Sequence, residues 1–364
     1  MNTQTPFQTM LQKAGISQRQ LAFRTGVSPA VMSQLARGIW IKTNRRGFER
    51  RLNAELKQIG ITDTEIQQVL YGEEKMKLGI STALKIMEME DNPFDPAMIR
   101  GERDIYKNEE HTDAVSRIET AALEGRFFIL IGRQGTGKTT ALDAASVKLT
   151  QSSRCRIIRV PAPDTERLKI GHIIDYLAAQ LGTKYRGWNN QRKLGQIKDI
   201  LAQPGSRRVL LVIDDGHALH GMTLISLKRL YDILKPNAGF DHLIGIVILA
   251  QEPMFDTLDR IEEVGTHVTS FQMWGLQGAN EVAAYITQKL RKIGKTLADF
   301  FDGDADVPAL IWKYEVALNP QRKTERWIEP RRLHQICKDL MIAAVAAGEK
   351  RIGNNHVEIY YSVL

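Results

Sequence analysis

The stretch FFILIGRQGTGKTTALDAA, residues 127–145, decides how the rest of the chain is read. It opens with an apolar run of strand length and closes on residues with helical preference. Between them Gly132, then Gly137, Lys138 and Thr139, have the spacing G-x-x-x-x-G-K-T of a phosphate-binding loop. Gly132, Gly135 and Gly137 let the backbone fold tightly enough to aim successive N–H groups at one point. That point lies at a helix N-terminus, where the dipole also favours negative charge. Lys138 brings a point charge for the β and γ phosphates, and Thr139 brings a hydroxyl suited to Mg²⁺, an ion that prefers oxygen ligands shared with a nucleotide. Gln134, Thr136 and Thr140 complete the expected nucleotide-binding set, and the expected ligands are ATP and Mg²⁺.

Working outward, apolar runs alternate with helical stretches: RCRIIRV, GHIIDYLAAQLG, RRVLLVIDD, LISLKRLYDIL and HLIGIVILA. Such alternation predicts an α/β fold, a parallel sheet with helices on both faces whose strands read as continuous apolar runs. VLLVIDD places Asp214 at the carboxyl end of a central strand, where open α/β sheets bind ligands and where it can hold Mg²⁺. Asp215 stands where many ATPases of this architecture place a Glu that activates the attacking water. Being one methylene shorter, it is expected to give slow, regulatory hydrolysis, to require a partner subunit that tightens the site, or to work normally after a compensating backbone shift, because geometry decides a general base before pKa does. His217 reads as a packing or hydrogen-bonding residue.

Composition sets the outer limits. The 364 residues, 43% hydrophobic and 25% charged, suffice for two or three domains with ordinary cores. Cys155 and Cys337 stand alone without metal-ligand spacing, which argues against a disulfide framework. MNTQTPFQTM has no signal-peptide pattern, and the longest apolar runs, 243–250 and 341–347, fall well short of the roughly 20 residues of a membrane span. A soluble, cytoplasmic protein with no membrane partner is the expectation. Charge is uneven: ten of the 50 Lys and Arg but two of the 42 Asp and Glu fall in residues 1–60, so the remaining 304 residues are formally neutral. A basic N-terminal module on a neutral body is the electrostatic footprint of nucleic-acid binding.

ISQRQLAFRTGVSPAVMSQLARG, residues 16–38, adds a shape to that charge. Ser17 and Gln20 predict a capping box opening one helix, with Leu21 and Ala22 on its inner side. Gly26 suits a tight turn, and Ser28 with Pro29 predicts the start of a second helix whose apolar face is Val31, Met32 and Leu35. Two short helices about such a turn form a DNA-binding unit whose second helix enters the major groove. Through Gln18, Leu21, Ala22, Gly26, Val27, Ser28 and Ser33 the segment resembles the helix-turn-helix of the phage Cro and repressor family. That resemblance implies Ser28, Ala30, Ser33, Gln34 and Arg37 as groove-facing residues. Arg45, Arg46, Arg50 and Arg51, on the helix that follows, are candidates for phosphate contacts, which give affinity without sequence information.

From about residue 112 onward the chain resembles an AAA+ ATPase of the group that includes the B proteins of Mu-like transposable phages, related transposon target-selection ATPases and ExeA-type ATPases. Beside the phosphate loop and the Asp214, Asp215 pair, VILAQEPMFD resembles the strand ending in the sensor 1 residue, here Gln251. LDRIEE resembles the segment whose arginine reaches a neighbouring subunit's nucleotide, here Arg260. IEPRRLHQICKDLMIAA resembles the sensor 2 helix of a lid, with Arg331 as γ-phosphate sensor. The domains expected on this basis are a helix-turn-helix domain at 1–72, a linker at 73–111, the AAA+ core at 112–275 and a helical lid at 276–364.

The resemblance implies an ATPase that assembles with ATP into an oligomer or helical filament on double-stranded DNA, largely without sequence preference, in a bacterial host cell. There it would recruit and stimulate a transposase and leave after hydrolysis. The rivals are an ATP-gated transcription regulator and a replication initiator or helicase loader.

Overall fold

The protein is described by a computed structural model over residues 7, 11–12, 14–27, 31–32, 45–59, 61, 79–98, 101, 104–152, 155–161, 165–183, 189–236, 242–303, 306–318 and 327–363, the side chains of 45–50, 53 and 363 excepted. It divides into two compact units, one built from Met1–Arg100, Leu276–Ile328 and Arg332–Leu364, the other from Gly101–Gly275 with Glu329–Arg331.

The first unit begins with helices α1 (Gln18–Thr25) and α2 (Arg45–Gln58). The predicted capping box is present: Ser17 Oγ accepts from the Gln20 amide at 3.2 Å, and Gln20 Oε1 accepts from the Ser17 amide at 2.9 Å. Gly26 ends α1 at φ 70°, the left-handed region that favours glycine. Leu21, Ala22 and Met32 pack with Leu11, Leu52 and Leu56 in a small core. Helix α3 (Ile80–Ile86) follows. The stretch read as a linker is packed over part of its length. Phe94 is fully buried, its ring 5.7 Å from that of Phe300 and 5.8 Å from that of His334, and Glu88 pairs with Lys350 at 2.6 Å. One aromatic among charged and proline residues gives no periodic signal, so this packing was hidden in the sequence.

The second unit starts with α4 (Glu109–Glu124) and β1 (Phe127–Gly132), then α5 (Lys138–Gln151), β2 (Cys155–Arg159), α6 (Ile170–Leu181), α7 (Asn190–Leu201), β3 (Arg208–Ile213) and α8 (Gly221–Ile233). It continues with β4 (Ile244–Ala250), α9 (Pro253–Arg260), the short α10 (Glu262–Gly265) and β5 (Thr269–Met273). The five strands form one parallel sheet in the order β2-β3-β4-β1-β5. Every residue of β1 and β4 is buried, as their unbroken apolar runs predict for strands covered on both faces.

Alternation along the strands sorts those residues into two layers. Phe128, Leu130, Leu210, Val212, Val247 and Leu249 join α4 and α5 on one face. Ile129, Ile131, Leu211, Ile213, Ile246 and Ile248 join α6, α7 and α8 on the other. Strand β5 was not foreseen. Its TSFQM sequence is an edge strand with exposed and half-buried positions, and it lacks the apolar run that marks the others. Strand β3 lies inside the sheet, one place from its edge, with the central position taken by β4.

The remainder of the first unit is helical: α11 (Ala279–Arg291), α12 (Leu297–Phe300), α13 (Val307–Ala317), α14 (Pro330–Ala346, its first two residues counting with the second unit) and α15 (Asn354–Val363). Among the described residues no helix is long and apolar enough to cross a membrane.

Candidate nucleotide-binding site

The phosphate loop spans the gap between the end of β1 and the start of α5. Gly137 is the N-cap of α5 at φ 104°, and Gly135 has φ 89°, conformations that a side chain would strain. Space forbids one as well. A Cβ on Gly135 would lie 2.6 Å from Arg331 Cβ, and one on Gly132 would lie 2.5 Å from the Met273 carbonyl oxygen. The glycines thus form a cradle of bare backbone, which is what close approach of phosphate oxygens requires. Gln134 and Thr139 are exposed, Thr140 is half-buried, and buried Thr136 closes the loop by donating to the Arg133 carbonyl at 2.9 Å.

Lys138 Nζ donates to the carbonyls of Gly132 at 2.6 Å and Arg133 at 2.8 Å, so its ammonium lies along the inside of the loop. Burial pulls that ammonium below its ordinary pKa. Asp214 and Asp215 oppose the shift, and Arg331 reinforces it. Residues far apart in sequence therefore share one electrostatic neighbourhood.

Asp214 and Asp215 follow β3 and are both exposed. Asp214 Oδ1 accepts from the Asp215 amide at 2.8 Å. Asp215 adopts φ 52° and ψ 35°, one of two described non-glycine residues at positive φ. Such a conformation costs on the order of 1 kcal/mol and persists where surrounding structure imposes it. Just beyond, His217 Nε2 lies 3.2 Å from the side-chain nitrogen of Gln251, the residue that follows β4.

Arg331 is exposed, with its amide 3.5 Å from the Gly135 carbonyl oxygen, so it stands against the phosphate loop. Arg260, exposed at the end of α9, donates through Nε to the Asp256 carbonyl one turn back at 3.1 Å. The sequence reading passed over a further group. Arg133, a variable position of the loop motif, donates to Glu252 at 3.1 Å and pairs with Glu329 at 3.6 Å. These acids adjoin Gln251 and Pro330, and no spacing rule links positions so far apart.

Of the DNA-contact candidates, Ser28, Ala30, Ser33, Gln34 and Arg37 lie outside the described residues. Arg45, Arg46, Arg50 and Arg51 all fall on α2, and the exposed Arg51 side chain brings Nη1 within 4.0 Å of where a Cβ on Gly26 would sit.

Residues 122–258 match the family model described as AAA domain. No curated protein matches the chain. Among solved structures, the Aeropyrum pernix ORC2 protein in its ADP form is 16% identical over 75% of this chain and 73% of its own, with a TM-score of 0.48. Cdc6p from Pyrobaculum aerophilum is 18% identical over 72% of this chain and 68% of its own, with a TM-score of 0.49. A chain of Drosophila ORC bound to DNA is 15% identical over 46% of this chain and 90% of its own, with a TM-score of 0.33. Residues 122–258, which match the AAA domain model, carry strands β1 to β4 of the parallel sheet, with the phosphate loop after β1 that the sequence predicts.

Proposed function

We propose that this chain is an ATP-hydrolysing, DNA-binding AAA+ ATPase whose nucleotide state sets whether it is assembled on duplex DNA or free. The observation that carries the ATPase half is the shared neighbourhood of the glycine cradle, Lys138, Asp214, Asp215 and Arg331. Phosphates would lie in the cradle against Lys138 and the α5 N-terminus. Thr139 and Asp214 fit an oxygen-ligated Mg²⁺. Among the described residues no cluster of three or more His, Cys, Asp or Glu could hold a metal, so most ligands of such an ion would come from nucleotide and water. When bound, the ion supplies charge neutralisation for the phosphates. Asp215 would orient and deprotonate the attacking water, Gln251 and Arg331 would face the γ-phosphate, and Arg260 would act on the site of a neighbouring copy.

The DNA half is supported by the basic excess confined to residues 1–60 and by the capped helix and glycine turn at 17–26. The resemblance to Mu-like B proteins makes target-DNA binding in transposition, with recruitment of a transposase, our reading of the process served. Replication initiation or helicase loading and transcription regulation require the same ATP-gated contact with DNA and differ in the partner.

The deciding experiment is fluorescence anisotropy on unrelated duplexes of increasing length with ATP, ADP or no nucleotide, at one salt concentration because phosphate contacts are salt-dependent. Binding that needs ATP, ignores sequence and strengthens with length is expected. Nucleotide-independent binding to a single sequence would overturn the assembly reading in favour of a transcription regulator. Stimulation of a transposase, against stable capture of a replicative helicase, then separates the remaining processes.

A further inference from the structure

The geometry points to His217 as a positioning residue for hydrolysis, a clamp that joins the turn carrying Asp215 to Gln251 and so fixes both against the same phosphate. The inference rests on the ATPase reading above and adds a residue to it. Three observations converge on it. First, the turn after β3 is strained and tightly seated. Asp215 has positive φ, and a Cβ on the next residue, the buried Gly216, would fall 2.0 Å from Ile248 Cγ2. Glycine there lets the turn press onto β4, the strand that ends beside Gln251.

Second, the single 3₁₀ turn Gly216–Ala218 carries the His217 ring across to that strand end, where Nε2 meets the Gln251 amide nitrogen at 3.2 Å. Third, His217 Nδ1 is shielded from solvent without a hydrogen-bond partner among the described residues, so the Gln251 contact is the ring's polar anchor. With the amide nitrogen donating, Nε2 accepts and the ring proton sits on Nδ1. With the amide turned over, the Gln251 carbonyl accepts from Nε2–H. Either assignment gives one bond between the two side chains.

The bond lets two groups from different strands move as one. Gln251, two torsions beyond its Cβ, is otherwise free to rotate its amide away from a phosphate, and Asp215 sits in a backbone conformation that its own propensity does not hold. Small errors in the placing of such groups are costly, because orientation supplies much of a catalysed rate. His217 touches neither water nor phosphate in this scheme, and its effect passes through Gln251 and the Asp215 turn.

The test is a double-mutant cycle on the full-length chain, reading ATP hydrolysis and ATP affinity separately. His217→Ala and Gln251→Ala are each expected to lower kcat about 10-fold while ATP Kd stays within about twofold. The double variant should be no slower than the slower single one, since both remove one interaction. His217→Gln, which places a polar atom near the original Nε2, should recover most of the rate. Losses that multiply in the double variant, an unchanged kcat in His217→Ala, or a loss that follows Kd or melting temperature and is not rescued by Gln would overturn the proposal. A wild-type chain that hydrolyses no ATP would overturn the ATPase reading and this inference together. An active wild type with an indifferent His217→Ala would overturn this inference alone.

Discussion

Charged residues are used in opposite ways at the phosphate loop and within the helical part of the first unit. At the loop, Arg133 pairs with Glu252 and Glu329, but Asp214, Asp215 and Arg331 stay exposed, and Lys138 donates to the backbone carbonyls of Gly132 and Arg133. In the helices, Glu315 is 5% exposed and its charge is answered in place. Arg332 donates to it at 2.9 and 3.2 Å, and Tyr361 donates its hydroxyl at 3.0 Å while stacking on Tyr314. Burial drives the Tyr361 phenol pKa strongly upward and the Glu315 carboxylate adds to it, so that hydroxyl remains a donor. For Arg332 burial acts to lower the pKa, but the bonds and charge of Glu315 outweigh it. Charge answered inside the protein is architecture, whereas charge left facing solvent beside a strained turn is, on the function proposed above, charge that a ligand would answer.

The strongest way to break this contrast is Lys138→Ala. Removing the loop cation that points along its inside should slow hydrolysis about 10³-fold, ~4 kcal/mol in the barrier. The desolvated ammonium contributes little to folding, so the melting temperature should move by no more than about 2 °C. Phosphate-release kinetics beside a thermal melt reads both. A fall in stability that accounts for the lost activity would erase the distinction.

Arg332→Ala is the mirror experiment. It strands Glu315 in a buried position, and breaking one side of such a pair costs about 3 kcal/mol, to be read as a lower urea midpoint at unchanged slope. Unchanged stability would mean that the helical network is as dispensable to folding as a surface pair.

The smallest expected effect concerns charge that both units decline to form. Burial pushes the Cys155 thiol up to about 11, against weaker opposing effects from the Leu210 backbone and Arg208, and burial likewise pushes the fully enclosed Cys337 upward. Neither thiol should react with an alkylating reagent at pH 8 until denaturant is added, when both should. With the folded pKa raised, the Cys155 contribution is intact below its unfolded value near 9 and is lost as pH rises towards 11. Cys155→Ala should therefore flatten part of the alkaline fall in stability over that window.

The legible parts of the molecule share one property, that their physical cause lies within a few neighbouring residues. G-x-x-x-x-G-K-T specifies a strand, a bare-backbone turn and a helix N-terminus because each glycine and the lysine act on adjacent backbone. Ser17, Gln20 and Gly26 write a capped helix and its turn in the same local terms. Strands β1, β3 and β4 were legible for a related reason, since burial on both faces demands an apolar run, and the edge strand β2 was legible through the Ile157, Ile158 pair at its centre. Strand β5, the other edge, escaped because its TSFQM sequence uses the tolerance of an edge for polar residues and has no pair of adjacent aliphatic residues to mark it.

The sequence by itself determined the phosphate loop, the α/β class and the location of the Asp214, Asp215 pair. The tertiary structure alone decided the strand order, the seating of Arg331 against Gly135, the Arg133 pairs with Glu252 and Glu329, the answering of Glu315 by Arg332 and Tyr361, and the joining of His217 to Gln251. Backbone stereochemistry and turn chemistry act between neighbours and leave their mark in spacing. A side-chain contact between distant residues depends on where the packed sheet sets each strand end, and no local pattern encodes that.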